Sequence, residues 1–182
     1  MTAASAVSGA AVADLRAPSL RRRLASFLYE GVLLFGVVFV AGIAYSVVSQ
    51  QRHALQGRQG MILAMFLVLG VYFVWYWSRT GQTLAMQTWH VRLVGRDGQP
   101  VSRLRALARY LASWVWFLPS LAIAYAAGWH HSAWAVFGCV LAGVLLYALL
   151  SFLHPQRQFL HDALCGTRLI HWRPAPPARP AA

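Results

Sequence analysis

Four long apolar stretches, at about 24–48, 61–78, 107–128 and 132–153, take up most of this chain, and nearly every charge lies outside them. A helix rises about 1.5 Å per residue, so about 20 residues cross a hydrocarbon core of about 30 Å. Each stretch meets or approaches that length. Charged residues make up 11% of the chain, against about 25% in soluble domains. That is too few to build a water-facing surface. The predicted fold is an all-α membrane protein: a four-helix transmembrane bundle over 18–173 with a small cytoplasmic cap. Residues 1–17 and the Pro/Ala-rich 174–182 read as disordered.

The cationic side chains set the topology. All 16 are arginine, against four acids, Asp14, Glu30, Asp97 and Asp162. With four spans, the N-terminal segment holds Arg16, Arg21, Arg22 and Arg23. The connection between spans two and three holds Arg79, Arg92, Arg96, Arg103 and Arg105, with Arg109 just inside span three. The tail holds Arg157, Arg168, Arg173 and Arg179. Only Arg52 and Arg58 fall on the other side. Basic residues gather on the cytoplasmic side, so both termini and the middle loop are expected there. The net charge of +12 then reflects lipid head groups as partner rather than nucleic acid, for which no motif is present. Arg21-Arg22-Arg23 would suit a signal peptide, but the apolar run that follows is too long, and an uncleaved first helix is expected. Trp75, Trp77, Trp114, Trp129 and Trp134 fall near the expected interfaces. Pro119 should kink span three. Ala135, Cys139 and Gly143, and also Gly138 and Ala142, put small residues four apart on span four. That spacing suits close helix packing within the bundle, or a dimer seam. Cys139 and Cys165 should lie too far apart in depth to pair.

Between spans two and three, Thr88–Val94 alternates like a strand. Arg96-Asp97-Gly98 with Gln99-Pro100-Val101 then reads as a hairpin turn. Ser102 should cap an interfacial helix through Arg103, Arg105 and Arg109. In the tail, Gln156–Cys165 suits a short amphipathic helix with Phe159, Leu160 and Leu164 toward lipid or protein, and Thr167–Trp172 is strand-like. Because an isolated hairpin is marginal, this strand is predicted to pair with Thr88–Val94.

Three motifs, in order, resemble the RDD family of small membrane proteins. The first runs from Arg23 to Glu30, an arginine followed seven residues on by an acid. The second is Gly81-Gln82-Thr83, followed by the Asp97-Gly98 turn. The third is Arg157-Gln158-Phe159-Leu160-His161-Asp162, closing on Gly166-Thr167-Arg168. The resemblance spans about 23–170 and implies a four-span fold and this topology. Arg23, Glu30, Arg109 and Asp162 are the candidates for an ion or proton site, and transport has been proposed for the family, including sodium–proton exchange for some members. Two departures stand out. The first acid is glutamate rather than aspartate, and Ala85-Met86 replace the usual Gly-Lys. Any ligand role of that lysine would be lost here.

Glu30 lies about 9 Å inside span one by helical rise, where an ionised carboxylate is costly. It needs water, a proton or a partner, and Arg109 and Arg79 are the candidates. A cation- or proton-binding carboxylate and a structural ion pair both fit. Asp162 suits an anchor for Arg157, Arg168 or an arginine of the middle loop. Adjacent residues diverge on a helix, so His161-Asp162 is a poor catalytic dyad, while Arg157 and His161, four apart, would share a face. His130-His131 lack a third metal ligand, His53 is isolated, and His90 and His171 fall on the expected strands. There is no nucleophile elbow, no phosphate-binding glycine loop and no carboxylate pair within a span. Neither an enzyme nor a metal or other cofactor is expected. Two functions stay open: a transport-related protein acting as an oligomer, and a scaffold whose cytoplasmic cap binds another protein.

Overall fold

The computed structural model describes residues 17–49 and 58–173. The expected disorder at the two ends, and the placements of Arg16, Arg52, His53 and Arg179, fall outside the described residues. Four helical segments are long and apolar enough to cross a membrane: Leu20–Val48, Arg58–Arg79, Arg103–Ala126 and Ala133–Leu150. Helix α1 (Leu20–Val48) starts four residues earlier than its apolar run, because Ser19 caps it by accepting from the Arg22 N–H. Helix α2 (Arg58–Arg79) follows.

The third span is broken. Helix α4 (Arg103–Ser113) is capped by Ser102, as expected, and passes through a 3-10 turn at Trp114–Trp116 into α5 (Leu118–Ala126). Pro119 sits in the first turn of α5, where its missing N–H costs nothing. The expected kink is thus a full interruption of the helix. Helix α6 (Ala133–Leu150) returns beside α5. There Cys139 donates to the Ser120 carbonyl at 3.2 Å, and a methyl group at Gly143 would collide with the Ser120 side chain. This small-residue stripe therefore packs inside the bundle, while Gly138 and Ala142 face outward.

The cap contains the short helices α3 (Leu84–Thr88) and α7 (Leu160–Leu164) and the strands β1 (Val91–Gly95) and β2 (Thr167–His171). The strands pair antiparallel, with Val91 opposite His171 and Gly95 opposite Thr167. The predicted long-range pairing is present. The local hairpin is not: Asp97-Gly98 makes a turn, closed by Gly98 N–H to the Gly95 carbonyl at 3.0 Å, but 99–101 forms no strand. Thr88 ends α3 instead of opening β1. The tail helix is also shorter than expected. Arg157 has a left-handed backbone, φ 51°, and is exposed, so it shares no helix face with His161. Phe159 is buried, whereas Leu160 and Leu164 are exposed.

Packing is densest where the cap meets the helix ends. Trp77, Met86, Val91, Leu93, Tyr110, Trp116, Tyr147, Phe159 and Leu169 form one buried cluster there. Trp77 is therefore an inner wall and not the interface anchor expected of it; Trp75, Trp129 and Trp134 are exposed. Further along the spans, large apolar side chains such as Val32, Phe35, Val40 and Leu146 point outward, as helices surrounded by lipid require.

Candidate functional site

Helix α1 is polar on its inner side. Its buried residues are Arg23, Ser26 and Glu30, spaced three and four apart and so aligned on one face. Glu30 is 8% exposed. It meets neither of the arginines expected of it. Tyr72 donates its hydroxyl to Oε1 at 2.7 Å, and Thr83 donates to Oε2. Arg79 instead lies over the Trp75 ring, 4.4 Å from its centroid.

The Gly81-Gln82-Thr83 motif delivers Thr83 to that place. Gly81 turns the chain out of α2 with φ 72°, and a Cβ there would run into the Leu93 carbonyl. Its own carbonyl accepts from the Leu93 N–H at 2.8 Å. Gln82 donates to the Val91 carbonyl at 2.7 Å. Thr83 caps α3, accepting from the Met86 N–H at 3.2 Å while giving its hydroxyl proton to Glu30. Three consecutive residues thus tie β1, α3 and α1 together.

The tail motif does the same for β2. Gln158 holds Leu169 through both backbone groups, accepting from its N–H at 2.9 Å and donating to its carbonyl at 3.1 Å. One glutamine therefore lies along each outer edge of the two-stranded sheet, occupying backbone groups that would otherwise be free to pair. Gly166 turns the chain with φ 65°, and Thr167 donates to the Asp162 carboxylate at 3.2 Å. Asp97, Gly98 and Arg157 lie away from these contacts, Asp97 on its turn and Arg157 beside the Phe152 ring.

Asp162 is fully buried. Its anchor is Arg109, whose Nε donates at 2.7 Å, and not Arg157 or Arg168. The Arg109 guanidinium lies on the Trp77 ring, 4.1 Å from its centroid. Burial alone would raise the Asp162 pKa. Arg109, neighbouring His161 and the hydrogen bonds from Arg109 and Thr167 outweigh it and hold the carboxyl below its usual range. His161 is buried too, its Nε2 3.7 Å from Asp162. Tyr147 accepts from the His161 backbone N–H at 3.0 Å and so has its own proton free for Nδ1 at 2.9 Å. Burial pushes the His161 pKa down to about 4, against the pull of Asp162. The imidazole is therefore neutral at pH 7.

Between α1, α2, α4 and the cap lies a cavity of about 420 Å³ that touches Arg23, Glu30, Arg109 and His161. A larger, shallower recess of about 550 Å³ between α1 and α2 near Val47 and Met61 is lined by no titratable side chain; the chemistry is in the smaller one. Of the expected site residues, Arg23, Glu30 and Arg109 share this cavity, and Asp162 stands directly behind Arg109. Tyr72 and Tyr147, which hold Glu30 and His161 from outside the lining, were not among the expected residues. A tyrosine in an apolar span carries no sequence signal separating a lipid-interface anchor from an inward hydroxyl.

A bundle of four membrane-compatible helices, closed on one side by a strand-paired cap and enclosing buried charge, defines an integral membrane protein. The RDD family model matches residues 17–166, and the chain belongs to that family. No curated protein and no solved structure matches the chain.

Proposed function

We propose that the protein is a transport protein of the bacterial cytoplasmic membrane, carrying an ion or small solute coupled to a proton or cation at Glu30. The observation behind this is that Glu30 lines a cavity, held by two hydroxyls and by no guanidinium. A carboxylate within a membrane needs its charge matched. With no arginine on it, a proton or a small cation is the remaining match. Hydroxyl rotors can donate to the ionised form and turn to accept from the protonated one, so both states can be held at the same place. The arginine distribution supports a cytoplasmic cap and cytoplasmic termini, with the cavity's charged end toward that side. Four spans with no repeated halves give little room for alternating access, so the working unit is an oligomer. On this reading the protein makes and breaks no covalent bond.

A non-transporting scaffold, its cap docked on another protein, is the second reading. The Arg109–Asp162 clamp supports it, since the clamp ties cap to bundle and needs no solvent path. That reading gives the Glu30 cavity no role. Proteoliposomes with imposed ion and pH gradients decide between them. The unaltered protein should show pH-dependent flux that Glu30→Gln abolishes. Equal flux from both would remove Glu30 from the coupling, and no flux from the unaltered protein under any gradient would remove the transport reading.

A further inference from the structure

Arg23 projects from α1 into the cavity and is 4% exposed. Its guanidinium lies on the Phe159 ring, 4.4 Å from the centroid, yet Nε and Nη1 are buried without a protein acceptor. The indole N–H of Trp77, on the same lining, also lacks an acceptor, while that of Trp114 turns to the Tyr110 hydroxyl. Among the described residues, every buried polar side-chain atom without a partner on this lining is thus an N–H donor. Buried donors are costly until an acceptor meets them. The nearby protein acceptors are engaged: Glu30 by Tyr72 and Thr83, and Oδ1 of Asp162 by Arg109 and Thr167. The free Oδ2 of Asp162 belongs to a residue outside the lining.

Much of the remaining wall is apolar, with Phe27, Leu34, Leu69 and Phe73 among it, and Glu30, its carboxylate held by Tyr72 and Thr83, lies between Arg23 and Leu34. Leu34 lies eleven residues beyond Arg23, so the cavity extends about 16 Å along α1. Its volume falls in the range of about 300–1,000 Å³ usual for small-molecule sites. The Arg23 end therefore offers donors and a fixed positive charge, and the wall beyond Glu30, around Leu34 and Leu69, is hydrocarbon. A guanidinium backed by an aromatic ring is oriented and poorly hydrated, which favours carboxylate or phosphate.

We propose that this cavity binds a small organic anion with an apolar body, its carboxylate or phosphate head against Arg23 and the Trp77 indole and its hydrocarbon toward Leu34 and Leu69. As a substrate site this rests on the transport reading; as a binding site it stands without it. The test uses the whole protein in phosphatidylcholine nanodiscs, titrated with octanoate, octyl phosphate, octylammonium and octanol. Tryptophan fluorescence and titration calorimetry give the affinities. The two anions should bind saturably, and the amine and alcohol about tenfold or more weaker. Arg23→Gln should weaken octanoate by a similar factor, while Arg103→Gln, at an exposed position, leaves it unchanged. Octanol binding as tightly as octanoate would overturn the proposal, as would equal effects of the two arginine variants. The ligand series on the unaltered protein decides the matter even where Arg23→Gln does not fold. Native mass spectrometry separates the sources of the anion. Phosphatidylglycerol retained through purification and released by octanoate identifies a lipid head; octanoate binding with no lipid released identifies a free organic anion. Octanoate bound without any flux would end the transport reading and keep this site, and flux without octanoate binding would do the reverse.

Discussion

Glu30 and Asp162 are both buried carboxylates in contact with a threonine, and the protein treats them in opposite ways. Asp162 is locked: Arg109 donates to it at 2.7 Å, and none of its surface is exposed. Glu30 is cradled: two hydroxyls hold it, and its side chain borders a cavity. A full opposite charge fixes a carboxylate in one state. Hydroxyls adapt to either protonation state. The difference separates a part that holds the cap on the bundle from a part able to exchange a charge.

The contrast breaks most directly through the lock. Removing one member of a buried ion pair leaves an unmatched charge, at a cost of about 3–5 kcal/mol. Asp162→Ala should lower thermal stability in detergent by that amount, because the Arg109 side chain, 8% exposed, then has no counter-charge. The double change of Arg109→Met with Asp162→Leu should recover much of the loss. Glu30→Gln removes no counter-ion and should cost under about 2 kcal/mol. A Glu30→Gln loss as large as that of Asp162→Ala would show that the two sites do not differ in kind.

Acid probes the same region. His161 has a pKa of 6.5 when unfolded and about 4 when folded. As pH falls from 6.5 to about 4, the unfolded chain takes up a proton that the native imidazole refuses, so stability declines through that window, by up to about 3 kcal/mol. Below it, Asp162 takes over. Its native pKa is depressed beneath 3.8, so the unfolded carboxylate protonates first and stability falls further. Denaturation midpoints measured between pH 4 and 7 should slope for the unaltered protein and flatten in His161→Gln. An unchanged slope would mean that the imidazole is not held neutral. Gln158→Leu tests the cap alone. It removes two backbone contacts of Leu169, worth about 1–3 kcal/mol together, and should leave octanoate affinity as it was.

Much of this was legible in the chain. Runs of apolar residues, interrupted by arginine, fix the number of spans, because length and charge act there without reference to neighbours. The β1–β2 pairing was legible too, since two short strand-like segments on one side of a membrane have few other partners. The ends of the charged pairs were not. Glu30 was expected against Arg109 or Arg79, yet Arg109 turns to Asp162 and Arg79 to Trp75. Several arginines lie within reach of each acid along the sequence, and only the packing of α4 against α7 selects among them. The inward hydroxyl of Tyr72 was invisible for a related reason. In a helix apolar on every side, no periodicity marks which face meets the bundle.

The finest test lies inside the cradle. Thr83 is buried and does two things, donating to Glu30 and capping α3 through the Met86 N–H. Thr83→Val loses both, about 1 kcal/mol for the hydrogen bond and about 1 more for the cap. Thr83→Ser keeps the hydroxyl for both and should restore most of the stability. Tyr72→Phe removes one donor from Glu30 and an acceptor beside the Leu84 backbone N–H, and should cost about 1 kcal/mol. Chemical denaturation of the three variants orders them. If Tyr72→Phe proved as damaging as Thr83→Val, the phenol would be bracing α2 against α1 as well as serving the carboxylate. The cradle would then be as rigid as the Asp162 lock, and Glu30 would have lost the freedom that sets it apart.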